Sequence, residues 1–204
     1  MRNPIMTTTM AILTASLAVA CTSDDPAPAG PDAGSDNGGV TCPDLGPRVP
    51  PTVPEAIQPP AGATFLTRTY ATGSQIYTCK ASASDGTYAW AFKAPEAALY
   101  DDSCALKGAH GAGPVWEWTP DGSAVKGMKI ADAPAPATGD IPWLLLKGVE
   151  NTGEGKFAHV TYVQRVATAG GAAPASGCDA SAVDKEVAVP YTAVYYFWEG
   201  GAQP

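Results

Sequence analysis

The sequence predicts an all-β fold: a single antiparallel β-sandwich or barrel-like domain with long loops, preceded by a disordered tether. Three observations predict it. Short runs rich in β-branched and aromatic residues recur between residues 64 and 198, turn residues separate them, and residues 22–39 hold only Pro, Ala, Gly, Ser, Thr, Asp and Asn.

The expected strands are residues 64–70, 75–80, 88–93, 115–119, 126–131, 143–147, 157–166 and 186–198. Asp85-Gly86 and Asp121-Gly122 are hairpin signals. Pro134-Ala135-Pro136 and Ala169-Gly170-Gly171 mark open loops. One helix candidate stands at residues 94–99, where Pro95 suits the first helical position. Strands at this spacing suit a sandwich or a barrel. Neither face of 157–166 is cleanly polar, and 191–198 is apolar on both faces, so these two strands are expected at the centre with a layer on each side.

The amino-terminal segment reads as an export signal over residues 1–20. Arg2 supplies the charged start, residues 10–20 the apolar core, and Ala18 and Ala20 the small residues before Cys21. The apolar core is shorter than the roughly 20 residues a spanning helix needs. Leu17-Ala18-Val19-Ala20-Cys21 is close to a lipobox, with Leu17 one place further back than usual. Cleavage before Cys21 and lipidation of its thiol is the expectation; the plain alternative is an ordinary secretory signal. Two acyl chains anchor stably, each buried methylene contributing about 0.8 kcal/mol. Residues 21–41 then form a lipidated cysteine and a flexible acidic tether, with Asp24, Asp25, Asp32 and Asp36 and a reach of roughly 25 Å. The expected location is the bacterial cell envelope, with the membrane as partner through Cys21.

Removing residues 1–20 loses only Arg2 among the charges and leaves 11 basic against 20 acidic residues, a formal charge of −9. A nucleic-acid partner is disfavoured, since polyanions are repelled and no basic cluster overrides this. Residues 42–204 are the length of one domain and enough to bury a core.

Apart from Cys21 there are four cysteines, Cys42, Cys79, Cys104 and Cys178. An oxidising compartment makes two disulfides the default, in any of three connectivities. The preferred one joins Cys79 to Cys178 and Cys42 to Cys104, the second stapling the end of the tether to the domain. No Cys-x-x-Cys pair supports a metal ribbon.

The residues also carry a family resemblance. Gln75-Ile76-Tyr77-Thr78-Cys79, Ala94-Pro95-Glu96-Ala97, Gly113-Pro114 followed by Trp116-Glu117, Ile141-Pro142-Trp143, Val160-Thr161-Tyr162-Val163-Gln164-Arg165, Gly177-Cys178-Asp179-Ala180 and Val189-Pro190-Tyr191 occur in order. Over about residues 54–198 the chain resembles the exported-protein family "domain of unknown function three-four-five-five". The resemblance implies export and a single domain, and no established activity. Some fungal relatives are labelled malate dehydrogenase. The string Gly153-Glu154-Gly155-Lys156-Phe157-Ala158 fits Gly-x-Gly-x-x-Ala, but a dinucleotide site needs those glycines between a strand and a helix. Here they read as a hairpin loop, so no nicotinamide-dependent dehydrogenase is expected, and no cofactor.

Site candidates cluster between residues 101 and 121. His110, Glu117 and Asp121 are a candidate base, acid and orienting carboxylate, and the glycines around His110 permit close approach of a ligand. The plain alternative is a solvated histidine in a Gly-rich loop, with Glu117 pointing outward between inward-facing Trp116 and Trp118. Metal binding by His110, His159 and a carboxylate predicts no geometry, and no Gly-x-Ser-x-Gly occurs. Arg165, on an expected central strand, is assigned a carboxylate partner such as Asp179 or Glu117. A rival site is an exposed aromatic strip drawn from Trp116, Trp118, Trp143, Tyr191, Tyr195, Tyr196 and Trp198, against which sugar rings could stack; core packing is its plain alternative.

The expected function is a non-catalytic binding module, for carbohydrate or another cell-wall partner, or a structural module of the envelope. An exported hydrolase centred on His110 and Glu117 is the alternative. Pocketed polar groups around His110 speak for the enzyme, and a shallow aromatic platform without convergent acids speaks for the binder.

Overall fold

The computed structural model describes residues 39–201. The expected signal segment, Cys21 and the tether up to residue 38 lie outside the described residues. Eight strands run in order: β1 (Ala63–Ala81), β2 (Tyr88–Tyr100), β3 (Leu106–Gly111), β4 (Val115–Trp118), β5 (Ser123–Ala133), β6 (Trp143–Thr152), β7 (Val160–Gly170) and β8 (Glu186–Gly200). Each pairs antiparallel with the next, and β8 returns to pair with β1, closing a barrel. Of the two expected architectures the closed one forms, because an even number of up-and-down strands brings the first and last together in antiparallel register and removes both sheet edges.

Three elements differ from the sequence expectation. Residues 64–70 and 75–80 are one continuous strand, since Gly73 lets β2 approach so closely that a Cβ there would lie 2.0 Å from the Glu96 carbonyl oxygen. The helix candidate at 94–99 is the second half of β2. Pro95 pairs with Gln75 of β1 on one side, and on the other β3 pairs with β2 only from Ala97 onward, so Pro95 stands at a locally open edge, where strands tolerate proline. The stretch around His110, read as a loop, is β3, with Gly108 tight against the Glu117 carbonyl of β4.

The last two strands, β7 and β8, bury most of both faces, as expected. On β8, Tyr191, Ala193, Tyr195 and Phe197 point into the barrel with Trp116, Leu99, Val125 and Val163. Val194, Tyr196 and Trp198 point outward, yet are covered. Their cover is the segment before β1, which lays Leu45, Val53 and Ile57 over Tyr162, Tyr196 and Trp198.

Polar contacts fix that segment. The buried Arg68 guanidinium donates to the carbonyls of Leu45, Gly46 and Pro47 at 2.7–2.9 Å and pairs with Asp102 at 2.7 Å. Gln164 Nε2 donates to the Ile57 carbonyl at 2.7 Å. Disulfides join Cys42 to Cys104 and Cys79 to Cys178, the preferred connectivity, and fit an exported protein. Among the described residues no helix is long and apolar enough to cross a membrane.

Candidate functional site

One mouth of the barrel opens on a cavity of about 550 Å³. Its walls are apolar: Phe92 and Pro95 from β2, Ile141 and Pro142 before β6, and Leu144 and Leu146 on β6. The polar groups are few. Gln75 and Tyr77 come from β1, His110 from β3, Arg165 from β7 and Tyr195 from β8, with Lys93 and Lys129 at the rim. Among the described residues no carboxylate lines the cavity.

His110 is held in place by its neighbours. Its ring stacks on Trp116 with centroids 4.3 Å apart and meets Tyr195 edge-on at 5.1 Å. Its Nδ1 lies 2.9 Å from the Val115 carbonyl, which can only accept, so Nδ1 carries the proton and Nε2 keeps a lone pair. Burial pushes its pKa down to about 3, and the positive charge of Arg165 pushes the same way. The histidine is therefore neutral at physiological pH and offers Nε2 as an acceptor.

Arg165 sets the electrostatics of this mouth. Its Nε and Nη2 donate to the Pro142 carbonyl at 3.2 and 2.8 Å. Lys93 and Lys129 are satisfied by Glu186 and Asp132, whereas Arg165 makes no ion pair among the described residues. Burial raises the pKa values of Tyr77 and Tyr195, and the Arg165 charge opposes both shifts. Beneath the surface Tyr77 donates to the Gly171 carbonyl at 2.6 Å and the Tyr191 and Tyr195 hydroxyls lie 3.3 Å apart. The Gln75 amide lies close enough to the Tyr191 hydroxyl to favour its ionised form, but its buried Nε2 makes no hydrogen bond of normal geometry. The buried Nε1 of Trp116 is unpaired as well.

A family model described as protein of unknown function (DUF3455) matches residues 60–109 and 105–199, nearly the whole barrel. The chain belongs to that family. Among curated proteins and among solved structures none matches it.

Within this DUF3455 domain the residues singled out in the sequence part company. His110, Trp116 and Arg165 meet in the cavity. Glu117 does not join them: it is exposed on β4 between inward-facing Trp116 and Trp118. Asp121 follows the far end of β4, where it accepts from the Ser123 backbone and hydroxyl and from Lys156 N–H, and these bonds hold its carboxyl below the usual range. Asp179 likewise caps a turn through Ser181. The carboxylate partner expected for Arg165 is thus absent: Asp179 and Glu117 are engaged or turned elsewhere, and a carbonyl takes its place.

The exposed aromatic strip is absent too. Trp116, Trp118, Tyr191, Tyr195, Tyr196 and Trp198 are buried, and Trp143 is half-buried. Closing the barrel and covering its outer face give these rings interior positions on both sides of β8. His159 is exposed, and among the described residues no three His, Cys, Asp or Glu side chains converge on a metal position. Gly153 and Gly155 lie in the connection between β6 and β7, and a strand follows.

Sequence reasoning missed Gln75, Lys93, Lys129 and Leu144 as lining residues. Gln75 carried a readable signal: it alternates with Tyr77 and Cys79 on one face of a strand, and an inward-facing amide among apolar residues is a buried polar group in want of a partner.

Proposed function

We propose that this chain is an exported lipoprotein of the bacterial envelope, anchored through acylated Cys21, whose barrel is a non-catalytic binding module for a compact molecule held in its mouth. The observation that carries the binding reading is the cavity itself. A space of about 550 Å³ with apolar walls and a few convergent polar groups is of the size and character that small ligands use. The lipobox-like segment and the acidic tether support the anchoring, and the two disulfides agree with an oxidising compartment. A polysaccharide or cell-wall partner suits this site through a chain end, since its flat stacking surface is buried.

One observation favours the hydrolase reading, the His110 lone pair at the cavity. Against it stand a pKa of about 3, which makes His110 a weak base, and the lack of a lining carboxylate, serine or cysteine. The enzyme reading fails if His110→Ala leaves every detected turnover unchanged.

A thermal-shift screen of the full-length protein against envelope metabolites and glycan fragments tests the binding reading. At least one compound raises the melting temperature saturably; a screen with no such compound counts against it. Metabolic labelling with a fatty acid tests the anchor, the label being lost in Cys21→Ser.

A further inference from the structure

We propose that the barrel mouth selects a small molecule with one carboxylate and an apolar body, the carboxylate docking on Arg165. This inference rests on the binding reading above and names its ligand class.

The chain carries a formal charge of −8, yet the cavity is lined by three cations and no anion. Two of the three are already satisfied, Lys93 by Glu186 at 2.7 Å and Lys129 by Asp132 at 2.8 Å. Arg165 is the exception. Among the described residues its partners are neutral: the Pro142 carbonyl takes both Nε and Nη2 and so fixes the plane of the guanidinium, and the Tyr195 hydroxyl lies near it.

A guanidinium held in one plane is a preorganised donor for a planar carboxylate, and charge-assisted hydrogen bonds of this kind are roughly twice as strong as neutral ones. One local cation inside a strongly acidic protein suits a monoanion, since a polyanion would be repelled by the remainder of the chain. The rest of the lining, with Phe92 and Pro95 from β2 and Leu144 and Leu146 from β6, the strand beside Arg165, offers nothing to a polar body. His110 Nε2 adds an acceptor, which favours ligands that also carry a hydroxyl or amine proton near the acid.

The test titrates the full-length, disulfide-bonded protein with two matched pairs, naphthoate against naphthalenemethanol and decanoate against decanol, by calorimetry. Within at least one pair the acid binds about tenfold or more tightly than the alcohol, and in Arg165→Gln this preference shrinks to within about twofold. The pair that responds separates an aromatic acid from an alkyl acid. Equal binding of acid and alcohol overturns the carboxylate inference and leaves the cavity a binding site. Binding by none of the four overturns the inference, while the thermal-shift screen decides the binding reading separately. An acid preference that survives Arg165→Gln overturns the assignment to Arg165. The wild-type comparison decides the ligand class even if the variant folds poorly.

Discussion

The imidazole of His110 lies flat on the indole of Trp116, with ring centroids 4.3 Å apart and planes 7° apart, and both rings meet Tyr195 edge-on. The stack joins β3, β4 and β8 at the cavity floor. It also excludes water from the histidine, which holds its pKa at about 3.

That burial has a pH signature. The unfolded histidine takes up a proton near its ordinary 6.5 and the folded one only near 3, so the unfolded state binds more protons between these values. Stability from this group is complete above about pH 6.5 and falls as the pH drops toward 3, by at most about 1.4 kcal/mol per pH unit. Denaturant midpoints at pH 7 and pH 5 test it: the wild type loses stability over this interval, and His110→Gln flattens the slope.

Arg68 is expected to be the residue least replaceable in the outer cover. Its guanidinium is 3% exposed and serves three carbonyls and Asp102. Arg68→Ala strands those groups and costs about 3–5 kcal/mol; Arg68→Lys recovers little, lacking the planar fork. Denaturant unfolding measures the loss, and limited proteolysis detects release of residues 43–60.

The two disulfides act on different parts of the molecule. Cys79–Cys178 spans 99 residues and ties the long β7–β8 connection to β1, while Cys42–Cys104 spans 62 and ties down the segment before β1. Replacing either pair by alanine costs about 2–5 kcal/mol. Protease sensitivity after loss of Cys42–Cys104 is confined to the segment before β1, which cleavage mapping by mass spectrometry checks.

Much of the fold was legible because β-branched runs and Asp-Gly turns report strands directly. What escaped was written in small residues. Residues 71–74 read as a break in β1 and residues 108–111 as a loop, because local pattern does not reveal that at Gly73 and Gly108 a neighbouring backbone needs the space a side chain would fill. Pro95 read as a helix start for a related reason: whether a proline sits on an unpaired strand edge depends on how far β3 extends. At the site, His110 and Arg165 were visible as residue types. Their surroundings were not, since the Val115 carbonyl and the Trp116 ring reach His110 only once β3 and β4 pair, and the Pro142 carbonyl reaches Arg165 only once β6 and β7 pair.

Gly127 shows the same dependence in a testable form. A Cβ at this position would lie 2.9 Å from Trp116 Cζ3 and 3.3 Å from Leu146. Gly127→Ala therefore displaces the Trp116 ring, costs about 1–3 kcal/mol and changes the near-ultraviolet circular dichroism of the stack. An unchanged spectrum and midpoint would show that the ring has room to move.

The central claim is that the barrel mouth is where this protein binds, and a cavity-filling variant tests it most directly. Leu144 is a half-buried lining residue on β6, and Leu144→Trp occupies the space without adding a charge. Ligand-observed NMR of wild type and variant against one fragment library makes the comparison. The account predicts saturable wild-type binders whose signals vanish in Leu144→Trp while the variant keeps its fold. Binders that persist unchanged in the filled variant, or a wild type that binds nothing, would contradict it.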